Sequence, residues 1–246
     1  MHFPNPLLLA PLLLLALPPD ALGGHPFVTD DTSTQGRGHQ QFEANTDWSR
    51  QNEAALHVAN FTYSYGALQN LDLFANLPVD FAAPAGIADV AAGVKWRLYE
   101  REDTSFALKS QLLLPSGRHQ LGHGSGRANL LLTLIGSHYA EPWALHANLG
   151  ISSNRQAADS ARTGERQLLW QASAAASYDL SLHWKALADI GVSRNADAAG
   201  GTHPAYFLTG LIYSPLRNLD LDAGLKFGLN RADDTRQFGI GLTWRF

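Results

Sequence analysis

Cysteine is absent from the 246 residues. Disulfides, thiolate zinc sites and thiol nucleophiles are therefore excluded together. Charge is sparse, at 16% of residues, and slightly acidic, with a net of -4. That leaves no basic footprint of the kind nucleic acid requires, so no nucleic-acid partner is expected. Long apolar runs are also missing after the start of the chain. The one such run, Leu7 to Leu17, is broken by Pro11 and is shorter than the ~20 residues a spanning helix needs. With the small residues Ala21 and Gly23 after it, it reads as a signal peptide over residues 1–23, cleaved after Gly23 or Gly24. The start carries His2 and no Lys or Arg, a departure from the usual leader. Mean hydropathy is only -0.15. That is low for a helical membrane protein but compatible with a barrel, half of whose residues face a polar interior.

What the chain does have is alternation. In the last eleven residues, Phe238, Ile240, Leu242, Trp244 and Phe246 alternate with Gln237, Gly239, Gly241, Thr243 and Arg245. A period of two places these sets on opposite faces of one strand. The same pattern recurs upstream, for instance at Leu219, Leu221, Ala223, Leu225 and Phe227 against Asp220, Asp222 and Lys226. Turn-forming stretches separate the repeats, and 22 glycines suit tight connections. Twelve strands are expected from Gly38 onward. The sixth, about 127–138, is apolar on both faces, and the ninth is expected over about 181–193. Connections alternate short and long, as in outer-membrane barrels with short periplasmic turns. An even count puts both termini on the periplasmic side.

All six tryptophans fall on the apolar faces. Trp96, Trp143, Trp184 and Trp244 fall near one rim and Trp48 and Trp170 toward the other, the expected membrane-interface belts. The fold expected is all-β, a 12-stranded antiparallel transmembrane β-barrel of outer-membrane type over residues 37–246. Residues 24–36 are read as a periplasmic N-terminal extension or plug. A soluble β-sandwich or lipocalin-like barrel is the competing architecture.

Certain short motifs resemble a known family. The opening His25-Pro26-Phe27-Val28-Thr29-Asp30-Asp31-Thr32, followed by Gln35-Gly36, looks like the start of the outer-membrane family named for the MetA pathway of phenol degradation. Tyr65-Gly66 through Asn70-Leu71-Asp72-Leu73 to Leu77-Pro78 resembles its second hairpin, and Leu114-Pro115-Ser116-Gly117 is similar to its Leu-Pro-Thr-Gly. The resemblance implies an outer-membrane protein that passes small, in part aromatic, compounds, and it brings no catalytic residues. The closing strand, ending on Phe246, also resembles the assembly signal read by the barrel-assembly machinery.

Function is expected to lie on the inner face. Lys95, Arg97, Lys109, Lys185, Lys226 and Arg245 are its cations, Asp72, Asp189, Asp220 and Asp222 its anions, and Gln111, His146, Asn148 and His183 its neutral groups. Paired with one another they hold a narrow lumen together. Lining a path, they favour anionic or carboxylate-bearing solutes. The reading is a passive channel for small solutes, embedded in outer-membrane lipid. A non-conducting structural or adhesive barrel is the alternative, and a lipid hydrolase the third reading. Hydrolysis needs a Ser beside a His, and His123-Gly124-Ser125 with Asn129, or Ser137-His138, has the residue types. No enzyme activity is expected. No metal or cofactor is expected, since the strand histidines lack ligand spacing.

Overall fold

A computed structural model describes residues 24–51, 54–82, 84–157 and 164–246. The signal-peptide expectation lies outside the described residues. Twelve long strands follow in order: β1 Gln40–Gln51, β2 Ala54–Leu68, β3 Leu71–Asp80, β4 Ala91–Arg101, β5 Thr104–Leu113, β6 Asn129–Ala140, β7 Trp143–Ser153, β8 Leu168–Asp179, β9 Trp184–Ser193, β10 Ala205–Leu216, β11 Leu219–Gly228 and β12 Arg236–Arg245. A two-residue strand, Gly86–Ile87, pairs with the end of β3. Each long strand runs antiparallel to its chain neighbours, and β12 pairs with β1 from Gln41↔Arg245 to Arg50↔Arg236. The sheet therefore closes with no free edge, the arrangement that satisfies every ladder hydrogen bond in a bilayer. Gln40 N–H donates to Phe246 C=O at 2.8 Å and Phe246 N–H to Gln40 C=O at 2.9 Å, which fastens the seam.

Hydrophobicity is turned inside out. Leu149, Ile151, Leu225 and Phe227 point outward and are exposed, while the buried inward positions include Asp189, Thr133, His146 and Asp222. A soluble sandwich buries its alternating apolar face, so this inversion excludes that architecture. Outside, Trp143 packs on Tyr178 and Trp184 on Tyr213 near the short-turn end. Trp96 and Trp244 point outward on the same side, each close to half exposed. Near the long-loop end Trp48 stacks on His57 and Trp170 meets His203 edge-on.

β6 is apolar on both faces because its inner face is dry where it meets β5: Ile135 and Ala107 are register partners and fully buried. Leu187, Leu208 and Ile212 form a second apolar patch inside, under Phe27 and Tyr206. β9 begins three residues later than the alternation suggests. Leu180 and Ser181 N–H both reach Trp184 C=O, so Leu180–His183 is a turn and His183 is exposed in it.

Residues 24–36 enter the barrel and join β1 at its short-turn end. Gly66 makes the junction possible. Its C=O accepts from Gly38 N–H at 2.8 Å, its N–H donates to His39 C=O at 2.9 Å, and β2 shifts register against β3 beyond it. A Cβ there would lie 1.8 Å from Gly36 C=O oxygen, a backbone atom with nowhere to go. Gly66→Ala is expected to destabilise the folded barrel by about 1–3 kcal/mol, the usual cost of overpacking. Urea titration followed by heat-modifiable gel mobility measures it. Gly201→Ala, with open space around it, is the control and should leave the midpoint unchanged.

Candidate functional site

The site is the barrel lumen, and its occupant is the chain's own segment 24–36. The segment has no strand or helix, so its backbone groups need partners from the wall. They have them. Asp189, 1% exposed, accepts from Val28 N–H and Thr29 N–H at 2.8 Å each, from Thr29 Oγ1 at 2.9 Å and from the Tyr206 hydroxyl at 3.0 Å. Asn148, with its amide oriented to satisfy both ends, accepts from Asp30 N–H at 2.7 Å and donates to Asp30 C=O at 2.9 Å. Thr32 N–H donates to Ser137 Oγ, and Gln35 N–H to both Asp72 oxygens at 3.1 Å.

Charge holds the two halves of the segment to opposite walls. Lys95 Nζ lies 2.9 Å from Asp31 and Lys109 Nζ 2.7 Å from Asp30. Across the lumen His25 bonds Asp222 and lies 3.2 Å from Asp47. Burial pushes the Asp31 carboxyl up, but the charges of Lys95 and His146 and hydrogen bonds from Lys95 and Ser33 hold it below the ordinary carboxylate range.

Glycines carve the seat. Gly239 and Gly241 on β12 and Gly210 and Gly224 on β10 and β11 face inward. A Cβ at Gly239 would come within 2.5 Å of His25 Nε2, and one at Gly224 within 2.6 Å of Pro26 Cβ. An inward glycine in a strand leaves room for a close neighbour, and here the neighbours are the side chains of His25 and Pro26.

The residues expected on the inner face divide into three groups. Lys95, Lys109, Asn148, Asp72, Asp189 and Asp222 converge on the segment, and His146 meets the Phe27 ring edge-on at 6.1 Å. Others face inward away from it. Arg97 pairs with Glu100 at 3.2 Å, Arg245 with Asp220 at 2.6 Å, and Lys185 with Asp179 at 3.4 Å. Lys226 sits 4.7 Å over the Tyr206 ring, and Gln111 is half-buried opposite Gly93. His183 is the correction: it lies in the exposed turn before β9, its Nδ1 2.9 Å from Ser214 C=O, and it lines no lumen. His25, Asp30, Asp31, Asp47, Ser137 and the glycine seat were not among the expected lumen groups.

The serine–histidine pairs expected from the sequence are not the ones that form. Ser137 bonds His146 at 2.9 Å rather than His138, which bonds Thr104. Ser125 bonds Asp89, Arg127 and Asn129, while His123 faces Asp80 at 3.7 Å. Among the described residues no group of three His, Asp or Glu is placed to hold a metal.

A closed, inside-out twelve-stranded barrel with a charged lumen is an outer-membrane β-barrel. The chain belongs to the family described as "Putative MetA-pathway of phenol degradation", whose profile matches residues 23–246. No curated protein sequence matches the chain. Among solved structures, the COG4313 outer membrane channel from Pseudomonas putida F1 is similar with a TM-score of 0.68 at 15% identity, over 88% of this chain and 98% of that one. The KdgM porin in complex with disordered oligogalacturonate gives 0.61 at 11% over 83% and 99%, and the NanC porin 0.61 at 8% over 82% and 98%. At these identities the likeness establishes the shared barrel fold.

The His25 contacts set a pH range for the seat. Burial opposes a charged imidazole, but the hydrogen bonds and charges of Asp222 and Asp47 outweigh it and push the pKa up to about 9. A raised histidine pKa means the charge stabilises docking fully below the free value of 6.5 and that this contribution is lost as pH rises through about 9. NMR titration of the His25 imidazole is expected to show a midpoint near 9, moving down in Asp47→Asn. A midpoint near 6.5 in the wild type contradicts the ion-pair assignment.

Proposed function

We propose that this protein is a passive outer-membrane channel for small solutes, with a preference for carboxylate-bearing compounds, and that segment 24–36 closes its lumen at rest. One observation carries the reading: a tethered stretch of chain lies among the wall's inward side chains and takes up their hydrogen bonds and charges. That stretch is held by hydrogen bonds and ion pairs to polar groups that would otherwise face a water-filled path. Its departure would leave Lys95 and Lys109 lining one wall, which favours anions. The likeness to structures described as a channel and as porins agrees with this.

The outward apolar band would contact lipid, with the six tryptophans at its two interfaces. Phe238, Ile240, Leu242, Trp244 and Phe246 would serve as the signal to the barrel-assembly machinery. Phenolic solutes enter only through the family's name. A non-conducting barrel is the second reading, favoured by one fact: the cavity beside the segment, bordered by Asp31, Glu43 and Phe74, is only about 50 Å³, room for a few waters at ~10–15 Å³ each.

Single-channel recording in a planar bilayer separates the two, with reversal potentials taken in a salt gradient. The wild type is expected to show rare, discrete, anion-preferring openings. Asp189→Asn, which weakens the anchor of Val28 and Thr29, is expected to raise the open fraction by about tenfold, the equivalent of ~1.4 kcal/mol. No conductance in either protein, each shown folded by heat-modifiable mobility, refutes the channel.

A further inference from the structure

Lys95 and Lys109 are direct register partners on β4 and β5, and both point inward. Like charges directly opposite on neighbouring strands destabilise a sheet. Lys95 is also the register partner of Asp72 on β3, but among the described residues the carboxylates that pair with the two lysines at ion-pair distance are not on the wall. The partners are Asp31 and Asp30, adjacent in sequence and brought in by the segment. Two linked carboxylates thus bridge two linked ammonium groups, and the Asn148 amide fixes the backbone between them. Beside them the Phe74 ring lies under Lys109 Nζ at 5.0 Å, an apolar face against which a carbon skeleton can rest.

The geometry points to the Lys95–Lys109 pair as a site for small dicarboxylates, which bind by displacing Asp30 and Asp31 and so free the lumen. Exchange, not addition, is the mode, because Asp72 and Glu43 border the same small cavity. A dianion added beside the docked segment would meet four carboxylates in a space of about 50 Å³. Two charges are needed because the segment is tethered. Its carboxylates act at an effective concentration in the millimolar range. A monoanion would replace one of them and leave the other docked, whereas a dicarboxylate replaces both in one event. The lysines would discriminate by charge number and spacing and Phe74 by skeleton. The physiological meaning rests on the channel reading above, but the binding itself does not.

The test is calorimetric titration of the refolded full chain in detergent, with succinate and with acetate at matched ionic strength. Asp30→Asn with Asp31→Asn removes the resident carboxylates and keeps the segment's length and shape. This double variant is expected to bind succinate about tenfold more tightly than the wild type does, as removal of a tethered competitor predicts. It should prefer succinate to acetate by a similar factor. Adding Lys109→Met should abolish that preference. Succinate should also raise the urea midpoint of the double variant more than that of the wild type, since a ligand stabilises the state that binds it. Equal succinate affinity in wild type and double variant, or binding indifferent to Lys109→Met, overturns the proposal. If the double variant does not fold, Asp30→Asn alone, at the more exposed of the two pairs, carries the same comparison with a smaller ratio. Bilayer recording keeps the two readings apart. A barrel that binds succinate as expected but never conducts refutes the channel and not the site. A conducting barrel without the succinate preference refutes the site and not the channel.

Discussion

An irregular stretch of chain inside a barrel at membrane depth must find a partner for every backbone N–H and C=O it carries, because neither lipid nor a strand ladder supplies one. That constraint decides what the inner wall looks like. Asp189 is the clearest case. A carboxylate almost fully buried would be costly in isolation, yet here it receives two backbone N–H groups and two hydroxyls. The donors come mostly from Val28 and Thr29, so wall and segment each remove the other's desolvation cost. Asn148, Ser137 and Asp72 repeat the arrangement farther along the segment. None of these four side chains is adequately described as a lining group, because each is half of a contact whose other half lies more than thirty residues away in sequence.

The charges follow from the same constraint. The segment's ionic partners are sorted along it: His25 meets Asp222 and Asp47, and Asp30 and Asp31 meet the lysines of β4 and β5. The rest of the inner wall is mixed in sign, with Lys185, Arg245 and Asp220 paired among wall groups and Asp72 in register with Lys95. Each charged end of the segment therefore meets its opposite at a particular place on the wall.

Much of the barrel was legible in the sequence because strand patterning is local. Phe238 to Phe246 alternate within eleven residues, and nothing distant is needed to read that. The inner residues were legible for the same reason, as the polar phase of each alternation. What was not legible was their partnership. His25 to Gln35 have no periodicity, since they belong to no regular element, so nothing in their order shows which way they face. His183 failed for a local reason: the β8–β9 turn takes two more residues than a tight turn, and the alternation runs on through it without a break. Residues 24–36 stood out as an extension or plug, and the inward glycines on β10, β11 and β12 are the signal that could have located their seat. A polar phase reading Asp222-x-Gly224 on β11 beside Gly239-x-Gly241 on β12 leaves a hollow in the wall, and a hollow implies an occupant.

That hollow also bears on whether the filling is permanent. A barrel of about eight strands closes its interior with its own side chains. Such filling cannot leave without unfolding the sheet. Here three adjacent strands give up side-chain volume at Gly210, Gly224, Gly239 and Gly241, and His25 and Pro26 take the space. The apolar patch of Leu187, Leu208 and Ile212 is likewise capped from the segment, by Phe27. The sheet's ladders do not run through any of these contacts, because no residue of the segment belongs to a strand of the sheet. Removing the segment would therefore cost its side-chain and backbone contacts while leaving the hydrogen-bonded cylinder intact. A wall whose ladders do not pass through its contents, and contents held by exchangeable polar bonds and the packing of Pro26 and Phe27, are what a reversible filling requires.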